Sequence, residues 1–382
     1  MRYLAILGRQ PEISIAELEA ILGNTWAGPA VASSPTSRPR SAGVPQATSP
    51  AHVSFSASSP IDIRRLGGIL KLGEKLEVKP LEFLMEVPEG KVTIGVSDYS
   101  EGATKRSAQG EALKLKKILV RHGRSVRVVE NKEAVLSTAT SLHNGLSGKN
   151  PRKVELIKTD EGWFRVIGVQ DIDAYSRRDQ VRPARDAKVG MLPPKLAQIL
   201  INLCGVLEPS ATVLDPFCGT GVVLQEAILM GYRAYGTDIS DRMIEYSEKN
   251  LKHFDFKGYR LEVGDATSHK WTQPVTAVAC EGYLGKPFSK ISTEMELKEQ
   301  KQECAGIVLG FLKNLAGQVR AGTPVVMAVP AWLRGNGEYE RMDLLDEIEG
   351  MGYNVNNKSR EGLLYHREEQ VVARDIIILR KK

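Results

Sequence analysis

The sequence predicts an α/β protein whose C-terminal half is a mostly parallel sheet covered by helices on both faces, preceded by a smaller α+β region. Two observations lead to this fold class. After residue 210, short apolar runs alternate regularly with amphipathic stretches, which is the pattern of successive βαβ units. The chain also has 382 residues, 42% of them hydrophobic, which is long enough for two domains with a core each.

The chain opens with a predicted strand and a predicted helix. Residues 2–7 form a short apolar run that Gly8 ends, so we expect a strand there and not a secretion signal. Residues 14–22 have the pattern of an amphipathic helix. Ser14 is its expected N-cap, and Glu17 stands at the capping-box position.

A change of composition follows this helix. Residues 24–60 are dense in Ser, Ala, Pro and Gly. Such a segment buries too little apolar surface to offset the entropy lost on ordering, so we expect most of it to be a flexible insert.

From residue 61 to 168, strands and helices alternate as in a small α+β unit. The helix predicted at 110–123 should bury Leu113, Ile118 and Leu119 and expose its lysines. A second helix is predicted at 133–146. β-branched residues and a turn at 160–162 predict the strands 91–97, 125–130, 153–159 and 163–169.

The second half is more regular. A charged connector is expected at 171–188, and a helix from 193 onward. The last strand, within 370–382, follows no helix, so we expect it to be antiparallel and added by a hairpin at the end of the sheet. Between these segments the sequence predicts strands 211–214, 233–237, 259–263, 275–280 and 323–329 and helices 220–231, 240–252 and 291–317.

Charge is unevenly spread along the chain. The net charge is +6, but residues 1–170 hold 24 Lys and Arg against 17 Asp and Glu, a balance of +7. Residues 201–382 hold 22 against 25, a balance of −3. Positive charge confined to one half favours a polyanion such as nucleic acid as its partner, although an ordinary basic surface has the same composition.

Cysteine usage and hydropathy exclude several classes of protein. Cys204, Cys218, Cys280 and Cys304 have no CxxC spacing, which argues against a zinc cluster or a disulfide framework and indicates a reducing, cytoplasmic environment. No uninterrupted apolar run approaches 18 residues, so no membrane span is predicted. We expect no metal.

The stretch ATVLDPFCGTG at 211–221 indicates a ligand-binding loop. Asp215 ends the first strand of the regular half, and Gly219 and Gly221 let the backbone turn tightly and approach a ligand. The loop is not GxGxxG, and no GK[ST] follows it, so neither dinucleotide nor P-loop binding is favoured. A carboxylate at its start would repel a phosphate and attract an ammonium group.

Two further acids end the next strands. Asp238 stands where a ribose diol is commonly bound, and Asp265 can accept from an adenine amino group. Singly, each acid is also an ordinary turn former. Together they match a ligand with an amine, a diol and an adenine, which is S-adenosylmethionine (SAM). The candidate cofactor-binding residues are Asp215, Pro216, Phe217, Cys218, Gly219, Thr220, Gly221, Asp238, Ile239, Asp265 and Ala266.

These motifs resemble the class I SAM-dependent methyltransferases, and DPFCGTG resembles the first motif of the RNA guanine-N2 branch. The N-terminal half is similar to THUMP-containing tRNA methyltransferases of the archaeal-eukaryotic guanosine-10 type. The stretches that carry this likeness are MRYLAILGRQPEISIAELEAIL, NKEAVLSTATSLHNGL, VQDIDAYSRRDQVRPARDAKVGMLPPKLAQILINL and EEQVVARDIIILRK.

The resemblance implies three parts: a ferredoxin-like and THUMP region at 1–168 that binds tRNA, a linker at 169–189, and a Rossmann-like methyltransferase domain at 190–382. In that domain it implies a seven-stranded, mostly parallel sheet with an antiparallel last strand. Residues 190–198 would lie beside the methionine end of SAM. It also implies RNA contacts from Lys114, Lys116, Lys117, Arg121, Arg124, Lys132, His143 and Asn144. For these residues a solvated helix face, or a helix end satisfied locally, is the alternative.

The fourth family motif, Asp-Pro-Pro-Tyr, is altered here to AVACEGYLGKP at 277–287. If Tyr283 aligns with the family's aromatic residue, Cys280 stands in place of the acid; if Glu281 replaces the acid, Leu284 stands in place of the aromatic. We favour a mixed interpretation in which Glu281 accepts from the exocyclic amine and Tyr283 stacks on the base. Cys280 is expected to be a buried small residue and not a nucleophile.

The sequence therefore predicts a SAM-dependent RNA methyltransferase acting on N2 of a tRNA guanine. The candidate catalytic residues are Glu281, Tyr283 and Cys280. A DNA amino-methyltransferase and a SAM- or RNA-binding protein without catalysis are the alternatives, and the altered fourth motif is the feature that supports the second of them.

Overall fold

The computed structural model describes residues 1–23, 50–185, 191–286, 293–367 and 370–382, together with the backbone of residues 32–33. The chain divides into two compact units. The first unit comprises Met1–Ser14 and Asn24–Ala174, and the second comprises Ile15–Gly23 and Tyr175–Lys382. No helix in the described ranges is long and apolar enough to cross a bilayer.

The first unit is built on one mixed sheet of eight strands in the order β2-β3-β1-β4-β8-β7-β5-β6. Strand β5 runs parallel to β6 and β7, and the other neighbours are antiparallel. The strands are β1 Arg2–Leu7, β2 Ala32–Ser33, β3 His52–Ser56, β4 Ile69–Lys75, β5 Val92–Asp98, β6 Val126–Val128, β7 Lys153–Thr159 and β8 Gly162–Val169.

Among the described residues, three α-helices lie within the first unit and two more lie partly in it. They are α1 Pro11–Leu22, α2 Pro80–Glu86, α3 Lys105–Arg121, α4 Thr138–His143 and α5 Ile172–Gln180, and a 3-10 turn spans Ile63–Arg65. Helices α1 and α5 each cross a boundary between the two units. The ferredoxin-like and THUMP identities and the domain boundaries expected for this half stay predictions.

Helix α3 differs from its prediction in its start and its buried face. The helix begins at Lys105, five residues before the predicted start, and Thr104 caps it through a reciprocal pair of hydrogen bonds with Ser107. The buried stripe is Ala108, Ala112, Leu115 and Leu119. Leu113 was expected inside but is 50% exposed, because the alanines at the preceding turns set a face that excludes it.

Other local predictions in this half are wrong. Ser14 is not an N-cap: it lies inside α1, and its hydroxyl donates to the carbonyl of Gly68 at 2.9 Å. Residues 52–56 are not part of a flexible insert, because β3 buries Val53 and Phe55 against β1. Most of 24–49 lies outside the described residues. Helix α4 is shorter than predicted, and the expected connector contains α5.

The second unit is a mostly parallel sheet in the order β11-β10-β9-β12-β13-β17-β15. The chain order reverses between β9 and β12, which is where open α/β sheets place their ligand crevice. Two short strands, β14 and β16, are added to β13 and β17. The strands are β9 Thr212–Asp215, β10 Arg233–Asp238, β11 Tyr259–Val263, β12 Ala277–Glu281, β13 Pro324–Leu333, β14 Tyr339–Glu340, β15 Tyr353–Val355, β16 Leu364–Tyr365 and β17 Val372–Lys381.

The last strand is antiparallel, as predicted, but its position in the sheet differs from the prediction. Strand β17 pairs with β13 on one side and with β15 on the other, so it lies inside the sheet and not at its end. The prediction missed β15, whose three residues are too few for a periodicity signal.

Helices cover both faces of this sheet, as β–α–β connections require. They are α6 Pro194–Leu203, α7 Val222–Leu229, α8 Asp241–His253, α9 Glu294–Ala316, α10 Leu345–Gly350 and α11 Asn357–Glu361. Helix α9 packs Val308, Phe311 and Leu312 against Val278 and Met327 of the central strands, all of them fully buried. Each such side chain contributes about 1.5–3 kcal/mol on burial, so the core holds the strand ends in fixed positions.

Candidate active site

The glycine loop runs from the end of β9 to the start of α7. Gly219 and Gly221 both have positive φ, 50° and 84°. A Cβ on Gly221 would stand 2.9 Å from the hydroxyl oxygen of Ser247, so any other residue is excluded by backbone strain and by contact. Among the described residues, a Cβ on Gly219 would meet only the carbonyl of Phe217, at 3.9 Å. The space over Gly219 is therefore open to a ligand.

Helix α8 fixes the loop from behind. The Ser247 hydroxyl donates to the carbonyl of Gly219 at 2.8 Å, and the Asn250 amide donates to the carbonyl of Thr220 at 2.9 Å. Both side chains are buried. Neither residue was predicted from the sequence, although polar residues on the inward stripe of a helix are a usable signal because buried polar groups need partners.

Asp238 joins the loop to the end of β10. One carboxylate oxygen accepts from the N–H of Gly219 at 2.9 Å and the other from the N–H of Ser240 at 3.0 Å. Burial raises the pKa of the Asp238 carboxyl, and the two N–H donors oppose that rise. Ile239 next to it is 73% exposed. An oxygen that accepts one N–H keeps a lone pair for a hydroxyl donor.

Asp215 is buried to 2% exposure, and its Oδ1 accepts from the N–H of Phe217 at 3.1 Å. Burial raises the pKa of its carboxyl well above the usual range, and the nearby charges of Asp238 and Glu281 act in the same direction. Three acids at adjoining strand ends make this edge of the sheet a place where a cation is stabilised.

Asp265 is more exposed than Asp215 and Asp238, the other two candidate cofactor-binding acids. Its side chain is exposed, and its Oδ1 accepts from both the N–H and the hydroxyl of Thr267 at 2.8 Å. This is the geometry of a turn former, which is the alternative role given above for each of these acids. Ala266 is buried, and its carbonyl accepts from Asn314 at 2.9 Å. The adenine contact of Asp265 stays a prediction.

The altered fourth motif ends β12, next to β9. Cys280 is fully buried in the core, and burial raises the pKa of its thiol well above the usual range. Cys280 is therefore a buried small residue, as expected, and its candidate catalytic role stays a prediction. Tyr283 is partly buried against the core. Burial, with the charge of Glu303 second, raises the pKa of its phenol.

Glu281 forms an ion pair that no sequence pattern predicts. The Nε of Arg374, on β17, donates to Glu281 Oε1. Their side chains are 6% and 15% exposed for Arg374 and Glu281 respectively. Burial raises the pKa of the Glu281 carboxyl, and Arg374 opposes the rise. The partners are 93 residues apart in the chain, so no spacing rule could have paired them.

A second missed residue is Arg182, in the predicted connector. Its guanidinium donates to the hydroxyl of Thr220 at 3.2 Å and pairs with Asp179 at 3.2 Å. The side chain is fully buried. Arg182 therefore restrains the glycine loop together with Ser247 and Asn250. Residues 186–190, which belong to the same stretch, lie outside the described residues.

The first unit carries a basic groove, defined by Lys91, Lys105, Lys116, Arg127, Leu113 and Glu130. It lies between α3 and β6, has a volume of about 600 Å³, and follows the edge strand of the sheet. Of the predicted RNA contacts, Lys116 lines this groove. The exposed Leu113, which contradicts the helix prediction, forms part of its wall.

The remaining predicted RNA contacts differ in whether their side chains already bond to other groups of the protein. Arg124 donates to the carbonyls of Val87 and Pro88 at 2.7 and 2.9 Å, which is a structural use of its guanidinium. Asn144 bonds locally to Thr140 and Arg127. The others are exposed or partly paired: Lys117, Arg121 and Lys132 are exposed, Lys114 pairs with Glu111 at 3.0 Å, and His143 pairs with Asp173 at 3.4 Å.

Comparison with known families places the loop and its strands in a recognised domain. A family model described as a methyltransferase domain matches residues 207–314. A model described as a DNA methylase matches residues 153–249. Both segments include the glycine loop at 215–221.

Three curated relatives share the name tRNA (guanine(10)-N2)-dimethyltransferase. That of Methanothermobacter thermautotrophicus is 33% identical over 144 residues, 38% of this chain and 40% of the relative. That of Pyrococcus abyssi is 40% identical over 103 residues, 27% of each chain. That of Methanocaldococcus jannaschii is 46% identical over 117 residues, 28% of this chain and 33% of the relative. The chain thus spans two fifths or less of the length of these relatives.

A solved structure matches over the whole chain. TrmN from Thermus thermophilus superposes with a TM-score of 0.50 at 18% identity, covering 100% of both chains. At this identity the match concerns the fold. Together with the strand order of the second unit, it confirms the predicted fold class: the second unit contains a mostly parallel, Rossmann-like α/β sheet.

Proposed function

We propose that this protein is a SAM-dependent methyltransferase that methylates the exocyclic N2 of a guanine in tRNA. The observation that carries the proposal is the acidic, glycine-lined crevice formed by Asp215, Gly219 and Asp238 at the switch point of a methyltransferase-type sheet. The shared name of the three relatives supports the substrate and the position of the methyl group.

The residues present fit SAM in their chemistry. The open space over Gly219 would admit the methionine chain against the backbone. Buried Asp215 would attract the α-ammonium group, since a cation offsets the cost of burying its charge. Asp238 would accept from the ribose hydroxyls through lone pairs left by its two N–H donors. The exposed Asp265 would accept from the adenine amine.

SAM supplies an electrophilic methyl group on a sulfonium, so the chain's own residues need only place and deprotonate the amine. Glu281 would orient the exocyclic N–H and take its proton, because the lone pair of an aryl amine is delocalised and attacks well only when oriented. Tyr283 would stack on the extruded base, and stacking at about 1–3 kcal/mol per base offsets much of the cost of extrusion.

The first unit would bind the tRNA backbone. Its share of the sequence holds the excess positive charge, and Lys91, Lys105, Lys116 and Arg127 converge on the basic groove. Convergent cations release condensed counterions on binding a polyanion, which is the main source of nucleic-acid affinity. THUMP identity and a cytoplasmic location remain part of this proposal.

A DNA amino-methyltransferase is the second candidate. The match of a DNA methylase model to residues 153–249 favours it, and the same cofactor crevice would serve. The basic groove does not discriminate, since both substrates carry phosphates.

The test is transfer of tritiated methyl from SAM to unmodified tRNA transcripts and to duplex DNA, followed by mass spectrometry of the nucleosides. We expect N2-methylated guanosine in tRNA, loss of transfer in Asp215→Ala, and strong reduction in Glu281→Ala. Glu245→Ala, at an exposed acid on α8, is the control and should keep full rate. Transfer to DNA alone, or SAM binding with no transfer to any substrate, would contradict the proposal. Full rate in Glu281→Ala would overturn its catalytic role.

A further inference from the structure

The candidate acceptor Glu281 is held by a residue that lies on another strand. In sheet order β13 lies between β12 and β17, so the side chains of Glu281 and Arg374 meet across it. Arg374 is buried, at 5% exposure as a residue, and the side chain of Glu281 is 15% exposed. Burying the charge of an arginine without a partner would cost several kcal/mol, so a buried arginine at this edge of the sheet needs an acidic partner.

The pairing of this arginine is unambiguous. Its neighbour in the strand, Asp375, accepts from Arg341 at 2.7 Å, so that acid is already bound to another cation. Successive residues of a strand point to opposite faces, which directs Arg374 and Asp375 to different partners. Among the described contacts, the acid that meets Arg374 is Glu281.

The groups around Glu281 oppose one another. Asp215, from β9, is a second buried carboxylate whose charge is coupled to that of Glu281, and Cys280, beside it on β12, is a buried neutral thiol. Burial disfavours the ionised form of Glu281, whereas the charge of Arg374 and its hydrogen bond favour it. Without Arg374, the carboxyl would tend to hold its proton.

We propose that Arg374 is a positioning residue that keeps Glu281 ionised and in a single orientation, with Oε1 bound to the guanidinium and Oε2 left for the substrate amine. This rests on the proposed function and explains how a glutamate substitutes for the family's Asp-Pro-Pro. As the bond from the amine nitrogen to the methyl carbon forms, the methyl–sulfur bond breaks and its electrons stay on sulfur. One N–H proton then passes to Glu281 Oε2. A protonated glutamic acid could not accept it.

The first test does not depend on activity. Carbon-13 NMR of the glutamate side-chain carboxyls follows Glu281, whose resonance is identified by its loss in Glu281→Gln. We expect its titration midpoint to rise clearly in Arg374→Gln and to change little in Arg374→Lys, which keeps a cation. An unchanged midpoint in Arg374→Gln would overturn the inference, whatever the enzyme does to tRNA.

The second test is a double-mutant cycle on single-turnover methyl transfer as a function of pH. Arg374→Gln should lose at least tenfold at pH 7 and recover part of the rate at higher pH, whereas Arg374→Lys should keep most of it. Because Arg374 acts through Glu281, the double variant Arg374→Gln/Glu281→Gln should be no slower than Glu281→Gln alone. It also removes both buried charges, so it should fold even if Arg374→Gln does not.

The outcomes separate the two proposals. A wild-type protein that transfers no methyl group would refute the proposed function and leave the NMR result to decide on Arg374. An active wild type in which Arg374→Gln lowers the rate equally at every pH, and lowers it further in the Glu281→Gln background, would show a structural role and overturn the inference.

Discussion

Replacing Asp215 with asparagine separates the charge of this side chain from its hydrogen bonding. The amide Oδ1 can still accept from the N–H of Phe217, but the ammonium group of the ligand loses its counter-charge. Hydrogen bonds to charged groups contribute about 1.5–3 kcal/mol, so Asp215→Asn should bind SAM at least tenfold more weakly by calorimetry. The ligand-free protein should melt at the same or a higher temperature, because an unfavourable buried charge is gone. Unchanged affinity would contradict the ammonium role, and Glu245→Gln serves as the control.

The raised pKa of Asp215 also predicts a pH dependence with a definite sign. The folded protein holds this proton more tightly than the unfolded chain, whose aspartates have a pKa of about 3.9. The contribution of this group to the free energy of unfolding therefore falls as pH rises from that value through the raised one. A cationic ligand favours the ionised form, so binding should strengthen over the same window and release protons. Calorimetry with S-adenosylhomocysteine in two buffers of different ionisation enthalpy measures the release, which Asp215→Asn should abolish.

Gly221 allows a clean test of the loop geometry. Gly221→Ala adds a Cβ at positive φ, 2.9 Å from the Ser247 hydroxyl. Gly231 also has positive φ, 89°, and a Cβ there would meet no atom of the described part of the chain within 4 Å. Both variants carry the backbone penalty of about 1–2 kcal/mol, but Gly221→Ala should in addition displace the loop and lose SAM binding. Thermal melts and calorimetry on the two compare them directly, and equal loss of SAM binding in both would refute the steric argument.

At the scale of elements, the sequence predicted features that depend on neighbouring residues, such as strand ends. It did not predict features that depend on packing between distant segments. The strand ends at Asp215 and Asp238 were predictable because apolar runs stop there. The buried face of α3 was not, since Ala108 and Ala112 have too little hydrophobicity to outweigh Leu113 in a periodicity count. The interior place of β17 depends on a strand of three residues that forms only within the sheet.

The site shows the same division. Its acids and glycines lie at fixed positions after strands, so the motif alone located them. The groups that restrain them come from distant segments: Asn250 reaches the loop from α8, Arg182 from the connector, and Arg374 from the last strand. These contacts depend on which elements pack together, and a single sequence does not encode that in any local pattern.

At the scale of the whole molecule, residues 1–170 and residues 201–382 differ in charge in the way the proposed ligands require. The residues with a balance of +7 include the basic groove, and those with a balance of −3 include the acidic crevice. A polyanion is attracted by the first, and a cationic cofactor by the second. The division implies that substrate binding and cofactor binding can be disabled separately.

Charge reversal in the basic groove tests that separation. Lys105 and Arg127 both line the groove, so Lys105→Glu/Arg127→Glu should weaken tRNA binding at least tenfold near physiological salt. Each lost phosphate contact should also reduce the slope of log affinity against log salt concentration by about one. Fluorescence anisotropy at several salt concentrations measures both quantities, and calorimetry should show SAM binding unchanged.

The matched control is Arg64→Glu/Lys79→Glu, which changes the net charge by the same amount at two exposed positions of the first unit that do not line the groove. If only the net charge mattered, tRNA binding would weaken equally in both double variants. The interaction between exposed charges is screened over a Debye length of about 8–10 Å, so the positions of the charges matter for direct contacts. Direct phosphate contacts would weaken it mainly in Lys105→Glu/Arg127→Glu and would lower the salt slope in that variant alone. Equal losses and equal slopes would therefore refute the groove as the tRNA contact while leaving the cofactor crevice unaffected.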